Sequence, residues 1–233
     1  LASAPSTWTN TVLAEIDVQR RRASAENHSA THLMHHAMRE VLGTHVEQRG
    51  SLVHPGGLRF DFSHFQKISP EEWTAIEAKV RAMIADALPL QVHENMSVEA
   101  AKAMGAMALF GEKYGETVRV LSIGSSKELC GGTHVGRTGD IGLFKIVAES
   151  GVAAGVRRVE ALTGAAASAH LAQQSAVVSG LASALKAPMP DLEGRVAALL
   201  DERKTLANEV AQLRRELALA GGRAKRMRRR PKR

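Results

Sequence analysis

Residues 27–36 read NHSATHLMHH, and four of the ten histidines in the 233-residue chain fall within them. A helix advances about 100° per residue, so the stretch can be unrolled onto a wheel. With His28 at zero, His32 falls at about 40°, His35 at about −20° and His36 at about 80°. Ala30, Leu33, Met34, Ala37, Met38 and Val41 fall between about 140° and 280°. This apolar stripe predicts a helix from about Ser24 to Leu42, closed by Gly43. The histidines occupy the opposite face, so they are expected to meet solvent or to line a cavity. Two pairs, His28/His32 and His32/His36, have the i, i+4 spacing at which two imidazoles reach one ion. Neither pair is a metal site by itself.

Outward from this helix the pattern is mixed. Residues 10–18, NTVLAEIDV, alternate as a strand before it. HPGG at 54–57 is a turn, and LRFDFSH after it alternates as a strand. Ser69-Pro70-Glu71-Glu72 combines an N-cap, a proline at the first helical position and a capping-box glutamate, predicting a helix to about Ala87. VHENMS reads as a strand and SVEAAKAMG as a short helix. Thr117–Ile123 is a strand leading into the loop GSSKELCGGTH. IGLFKIVAES and VRRVEALT are strands flanking the GVAAG turn. From about residue 165 strand signals stop. Beyond Pro188 and Pro190, residues 196, 199, 203, 206, 210, 213 and 217 follow a 3-4 spacing, a short coiled-coil seam with Arg203 intruding. It pairs either with a second chain or back on the preceding helix. Gly221-Gly222 are expected to end it.

The net charge of +7 is local. RAKRMRRRPKR at 223–233 holds eight of the 31 Lys and Arg and no acid, leaving 23 basic against 24 acidic residues elsewhere. Such a block reads as a solvated tail or as a sequence-blind phosphate contact. No stretch approaches the roughly 18 consecutive apolar residues of a membrane span, and the first residues lack signal-peptide features. The chain is expected to be cytoplasmic and a piece of something longer. One cysteine, Cys130, excludes an internal disulfide.

Cys130 and His134, in CGGTH, have a C-x3-H spacing in a loop whose glycines permit close approach of backbone to an ion or substrate. With the helix they offer three imidazoles and a thiolate, a set suited to Zn2+. Four protein ligands close a tetrahedron, the pattern of a structural zinc, whereas a catalytic zinc keeps a position for water. Either role is compatible with the residues.

NHSATHLMH, QRGSLV, LRFDFSH, KELCGGTH, TGDIGLFKI and GVRRVEALTG occur in that order. Together they resemble the editing domain of alanyl-tRNA synthetases over roughly residues 10–165. The helical segment to about 220 resembles the region that follows in bacterial members. The H-x3-H and C-x3-H pair is also shared with free-standing alanyl-tRNA editing proteins. The resemblance implies an α+β fold of the threonyl/alanyl-tRNA synthetase second-additional-domain type with a helical appendage. The expected parts are a remnant of a preceding β-domain (1–22), the editing domain (23–165), a helical, coiled-coil region (166–220) and a basic tail (221–233).

It further implies hydrolysis of Ser-tRNA(Ala) and Gly-tRNA(Ala), with zinc on His28, His32, Cys130 and His134 and with Gln48 in the pocket. Backbone N–H groups of Gly131, Gly132 and Thr133 are candidate oxyanion donors. Gln48 and Thr133 are candidates to read the substrate hydroxyl or hold the water. Arg157 and Arg158 face opposite sides of their strand, so at most one is expected to reach tRNA phosphates. Asp61 and Arg59 share a strand face, as a surface pair or in a site role. His35 and His36 are expected to line the pocket or meet solvent. With no aminoacylation domain in this length, the chain is expected to be a synthetase fragment that does not charge tRNA, with tRNA(Ala) as partner and a homodimer through 196–217. The rival readings are a free-standing deacylase and an inactive tRNA-binding or oligomerising fragment with structural zinc.

Overall fold

The structure, a computed structural model, describes residues 13–107 and 115–228, with side chains as far as residue 219. The chain divides into two compact units, residues 1–170 and 171–233.

The first unit is built around helix α1 (Val18–Leu42). Asp17 caps it, accepting from the Arg20 N–H at 3.0 Å, and Gly43 at φ 115° ends it. The helix therefore starts six residues, nearly two turns, before the expected Ser24. The expected strand at 10–18 is corrected over 13–17, which form no strand; 10–12 lie outside the described residues. Asp17 explains the difference, because its side chain satisfies a backbone N–H that a strand would direct elsewhere.

A four-stranded antiparallel sheet lies against α1. Its order is β1 (Gln48–His54), β2 (Gly57–Ser63), β7 (Val156–Thr163) and β6 (Phe144–Ala153), where β6 and β7 follow in chain order the strands named next. Leu58, Phe60 and Phe62 of β2 and Val159 and Ala161 of β7 turn inward onto Leu33, Met34, Ala37 and Met38. Alternate residues of β2 face outward, where Asp61 lies opposite Arg158 and Arg59 opposite Glu160. Strand β1 carries a bulge between Gln48 and Gly50 that breaks its alternation. The expected GVAAG turn is tighter than its sequence suggests, since β6 runs to Ala153 and β7 resumes at Val156.

Helix α2 (Pro70–Ala85) has the capping box expected at Ser69, with both hydrogen bonds made. It packs beside α1. A second sheet has the order β3 (Leu90–Ser97), β4 (Thr117–Ile123), β5 (Ser126–Leu129), with α3 (Val98–Ala103) and a small apolar cluster of its own. Strand β5 corrects the expectation of a loop from 124 to 134. Its first half pairs antiparallel with β4 across Gly124-Ser125, and only from Cys130 onward is it loop.

In the second unit, α4 (Gly164–Leu185) enters as an Ala-rich helix, and α5 (Leu192–Arg228) follows the Pro188/Pro190 break. Helix α5 runs through Gly221 and Gly222, correcting the expected end there. Two helical glycines cost about 1 kcal/mol each, and the Ala, Arg, Lys and Met around them are favourable helix formers. No described helix is long and apolar enough to cross a membrane.

Candidate metal centre

Packing around α1 decides what its histidines meet. The sheet of four takes the apolar stripe, and β5 meets the opposite face. The helix is thus buried almost all round, and its polar residues need designated partners. Asn27 donates to the His54 carbonyl at 2.9 Å and accepts from the Thr163 hydroxyl at 2.8 Å. Ser29 lies 3.2 Å from His134 Nδ1 and accepts from the Val135 N–H. His35, expected at a pocket wall or in solvent, is buried at 2% exposure, between the Val46 carbonyl and the Glu128 carboxylate. His36 remains partly exposed beside Glu40. The correction for His35 has a simple cause: a residue opposite the apolar stripe is exposed only if nothing packs there, and β5 does.

The four expected ligands converge. One donor atom from each of His28, His32, Cys130 and His134 lies within 4.8 Å of all the others, so the group could hold a metal ion. Cys130 Sγ is 3.4 Å from His28 Nε2 and 3.3 Å from His134 Nε2. Zinc–sulfur and zinc–nitrogen bonds of about 2.3 and 2.0–2.1 Å at tetrahedral angles set a sulfur–nitrogen edge of roughly 3.6 Å, so the donors are already near coordination spacing.

Glu128 orients the set. Its carboxylate accepts from His32 Nδ1 at 2.6 Å, which leaves Nε2 as the ring atom available to an ion. That Nε2 is buried and has no protein hydrogen-bond partner. A buried nitrogen without a partner is costly unless something else occupies its lone pair, and a metal does. A carboxylate behind a ligating imidazole fixes its tautomer in this way. Ser29 Oγ stands in the corresponding place behind His134, 3.2 Å from its Nδ1.

Burial lowers the His32 pKa, but Glu128 and Cys130 outweigh it and raise it to about 10, so an ion at Nε2 would replace a proton there. Burial pushes the Cys130 thiol up, but hydrogen bonds from His134 and His28, with the charge of nearby His32, outweigh it and bring its pKa down to about 3, giving a thiolate. Burial likewise pushes Glu128 up, and the His32 charge and hydrogen bond override it, holding the carboxyl well below its usual range. Burial lowers His134, favouring the neutral imidazole a metal requires.

The loop geometry separates the two glycines. A Cβ on Gly132 would sit 2.0 Å from Cε1 of His28, whereas one on Gly131 would meet nothing within 4 Å. Arg119 of β4 ties the loop down, donating to the carbonyls of Cys130 at 3.2 Å and Gly132 at 2.6 Å. A trans peptide sets its N–H opposite its C=O, so the amides of Gly131 and Thr133 face away from Arg119. Those amides make no hydrogen bond among the described residues.

The other expected site residues belong to strands of the four-stranded sheet. Gln48 opens β1 opposite Phe62, half-buried, with no side-chain hydrogen bond among the described residues. Arg158 makes a two-pronged pair with Asp61, at 2.7 and 2.8 Å, and Arg157 pairs with Glu149. Asp61 therefore pairs across strands with Arg158, while Arg59 shares its outer face. Sequence reasoning does not single out Glu128 or Arg119. For Glu128 a signal exists, since the period of 2 in KELC puts Glu128 and Cys130 on one face.

Residues 118–160 match the profile of the threonyl and alanyl tRNA synthetase second additional domain, which spans β4, β5, the ligand loop and the β6–β7 hairpin. The α+β fold is of that class. Over nine tenths of its length the chain is homologous to part of the alanine–tRNA ligases. It is 55% identical to that of Delftia acidovorans over 211 residues, 91% of this chain and 24% of the relative. The ligase of Polaromonas naphthalenivorans is 56% identical over the same shares, and that of Methylibium petroleiphilum 55% identical over 209 residues. The chain spans about a quarter of the length of these curated relatives.

Proposed function

We propose that this chain is the editing portion of an alanyl-tRNA synthetase and hydrolyses the aminoacyl ester of tRNA(Ala) mischarged with serine or glycine, in the cytoplasm, while sparing alanine. The observation that carries this is the quartet of His28, His32, Cys130 and His134, oriented by Glu128 and set beside unbonded loop amides. The ion assigned to it is Zn2+, from the nitrogen and sulfur donor set. Bound there, zinc supplies a Lewis acid beside the substrate ester.

The chain's own groups have separable roles. Water adds to the ester carbonyl, the bond to the ribose oxygen breaks, and that oxygen leaves with a proton, freeing the amino acid and the tRNA. The Gly131 and Thr133 amides donate to the carbonyl oxygen as it gains charge, the kind of interaction worth about 10²–10³ in rate when one donor is removed. Gly132 belongs to the same loop, and its lack of a Cβ lets the His28 ring approach. Gln48 and Thr133 have uncommitted side chains suited to reading a substrate hydroxyl, which a site built to hydrogen-bond it can distinguish strongly from a methyl group.

An inactive tRNA-binding or oligomerising fragment with a structural ion is the rival reading, favoured by four protein ligands closing a tetrahedron. Mischarged Ser-tRNA(Ala), incubated with chain of measured zinc content, decides between them. Hydrolysis that disappears with zinc in Cys130→Ala supports the editing reading. Failure of a folded, zinc-loaded chain to hydrolyse the ester overturns it.

A further inference from the structure

A cavity of about 450 Å³ opens directly beside the quartet, with Thr133 and His134 on one wall and Arg21 and Arg22 of α1 on the other. We infer that Arg21 and Arg22 bind a backbone phosphate of the polynucleotide whose 3′ ester lies at Thr133 and His134, making this cavity the seat of the last phosphodiester. The inference rests on the editing reading for the position of the ester and goes beyond it by assigning the phosphate ligands.

Four observations carry it. The cavity has the size of a small-molecule site and runs up to a ligand of the metal centre, so a group there is within one nucleotide of the reacting ester. Val18, Arg21, Arg22 and Ala25 recur at helical spacing on one face of α1, so both arginines reach the same wall. The charge balance suits an anion. The one acid on the wall, Asp140, already accepts from the Arg137 N–H at 3.1 Å, and Arg22 is steadied by Glu26 at 3.1 Å. Arg21 is exposed and its guanidinium has no partner among the described residues. Finally, Arg157 and Arg158 of β7 are each engaged by a carboxylate, Glu149 and Asp61. A planar guanidinium held by a carboxylate must give up that bond to take a phosphate, as Arg22 would give up Glu26, whereas Arg21 has none to give up and is the leading ligand of the pair.

The test uses the full chain, with zinc content and circular dichroism matched between wild type and Arg21→Ala/Arg22→Ala. Binding is measured to an RNA hairpin carrying the tRNA 3′ end with serine attached through a non-hydrolysable amide, across a range of salt. The double variant is expected to bind about tenfold more weakly or worse at low salt. Its slope of log affinity against log salt should be shallower by about 0.7 for each phosphate that the protein no longer neutralises. Hydrolysis of 3′-O-seryl-adenosine, which has no phosphate, should be unchanged. Unchanged affinity and slope in the variant, or an equal decrease on the phosphate-free ester, overturns the inference, as does failure of the wild type to bind the hairpin. Arginine-dependent binding without hydrolysis sinks the editing reading, and with it the position of the ester, but leaves the arginine–phosphate contact standing. Hydrolysis with no arginine effect on binding does the reverse.

Discussion

At the scale of single residues, the centre depends on Glu128 as much as on its ligands. The carboxylate is 3% exposed and holds His32 at 2.6 Å, so neutralising it should loosen the ring and reduce its basicity. Glu128→Gln is expected to weaken zinc affinity about 10- to 100-fold in chelator competition while the chain remains folded. The two glycines of CGGTH give a sharper contrast. Gly132→Ala drives a methyl group into the His28 ring and should abolish stoichiometric zinc, whereas Gly131→Ala, with open space around it, should keep it. Equal zinc content in both variants would show that the ring and the loop do not meet as described. Spacing makes His28, His32, Cys130 and His134 legible as a possible ligand set. It does not separate His36 from His28, because both lie four residues from His32 and a wheel does not say which side meets the cysteine.

Among the elements, α1 is the most legible in identity and the least legible in surroundings. Its apolar stripe follows from side-chain period, but burial of its other face follows from β5, a four-residue strand too short to announce itself within GSSKELCGG. Strand β1 is hidden for a related reason, since its bulge at Gln48/Gly50 spoils the alternation. Pairing of β2 with β7 brings Asp61 and Arg158, 97 residues apart, into a two-pronged ion pair. The Arg158 hydrogen bond outweighs burial and lowers the Asp61 pKa. A carboxyl lowered in the folded state adds stability above its unfolded pKa and loses it as pH falls through the folded value. Asp61→Asn should therefore lower the melting midpoint by about 2 °C at pH 7, with the difference from wild type shrinking in acid. A constant difference across that range would remove the pair as its cause.

For the whole molecule, the helical unit bears on assembly. Leu181 and Leu185 of α4 share an apolar hollow with Leu192, Val196 and Leu200 of α5, so the start of the seam folds back near the bend. Farther on, Leu206, Val210, Leu213 and Leu217 are 46–74% exposed at heptad spacing. A heptad seam left exposed is able to pair with a second chain. Sedimentation equilibrium should show a dimer that Leu206→Glu/Leu213→Glu converts to monomer; a wild-type monomer would exclude pairing through this seam. The sequence by itself determined what local period and residue chemistry encode: the α1 and α2 helices, the β2, β4 and β7 strands, and a His/Cys donor set suited to zinc. Only the tertiary structure decided which histidines face Cys130, which carboxylate stands behind His32, and which arginine remains uncommitted beside the site. These depend on contacts across about 100 residues of chain, as in His32 with Glu128, and side-chain period carries no information at that range.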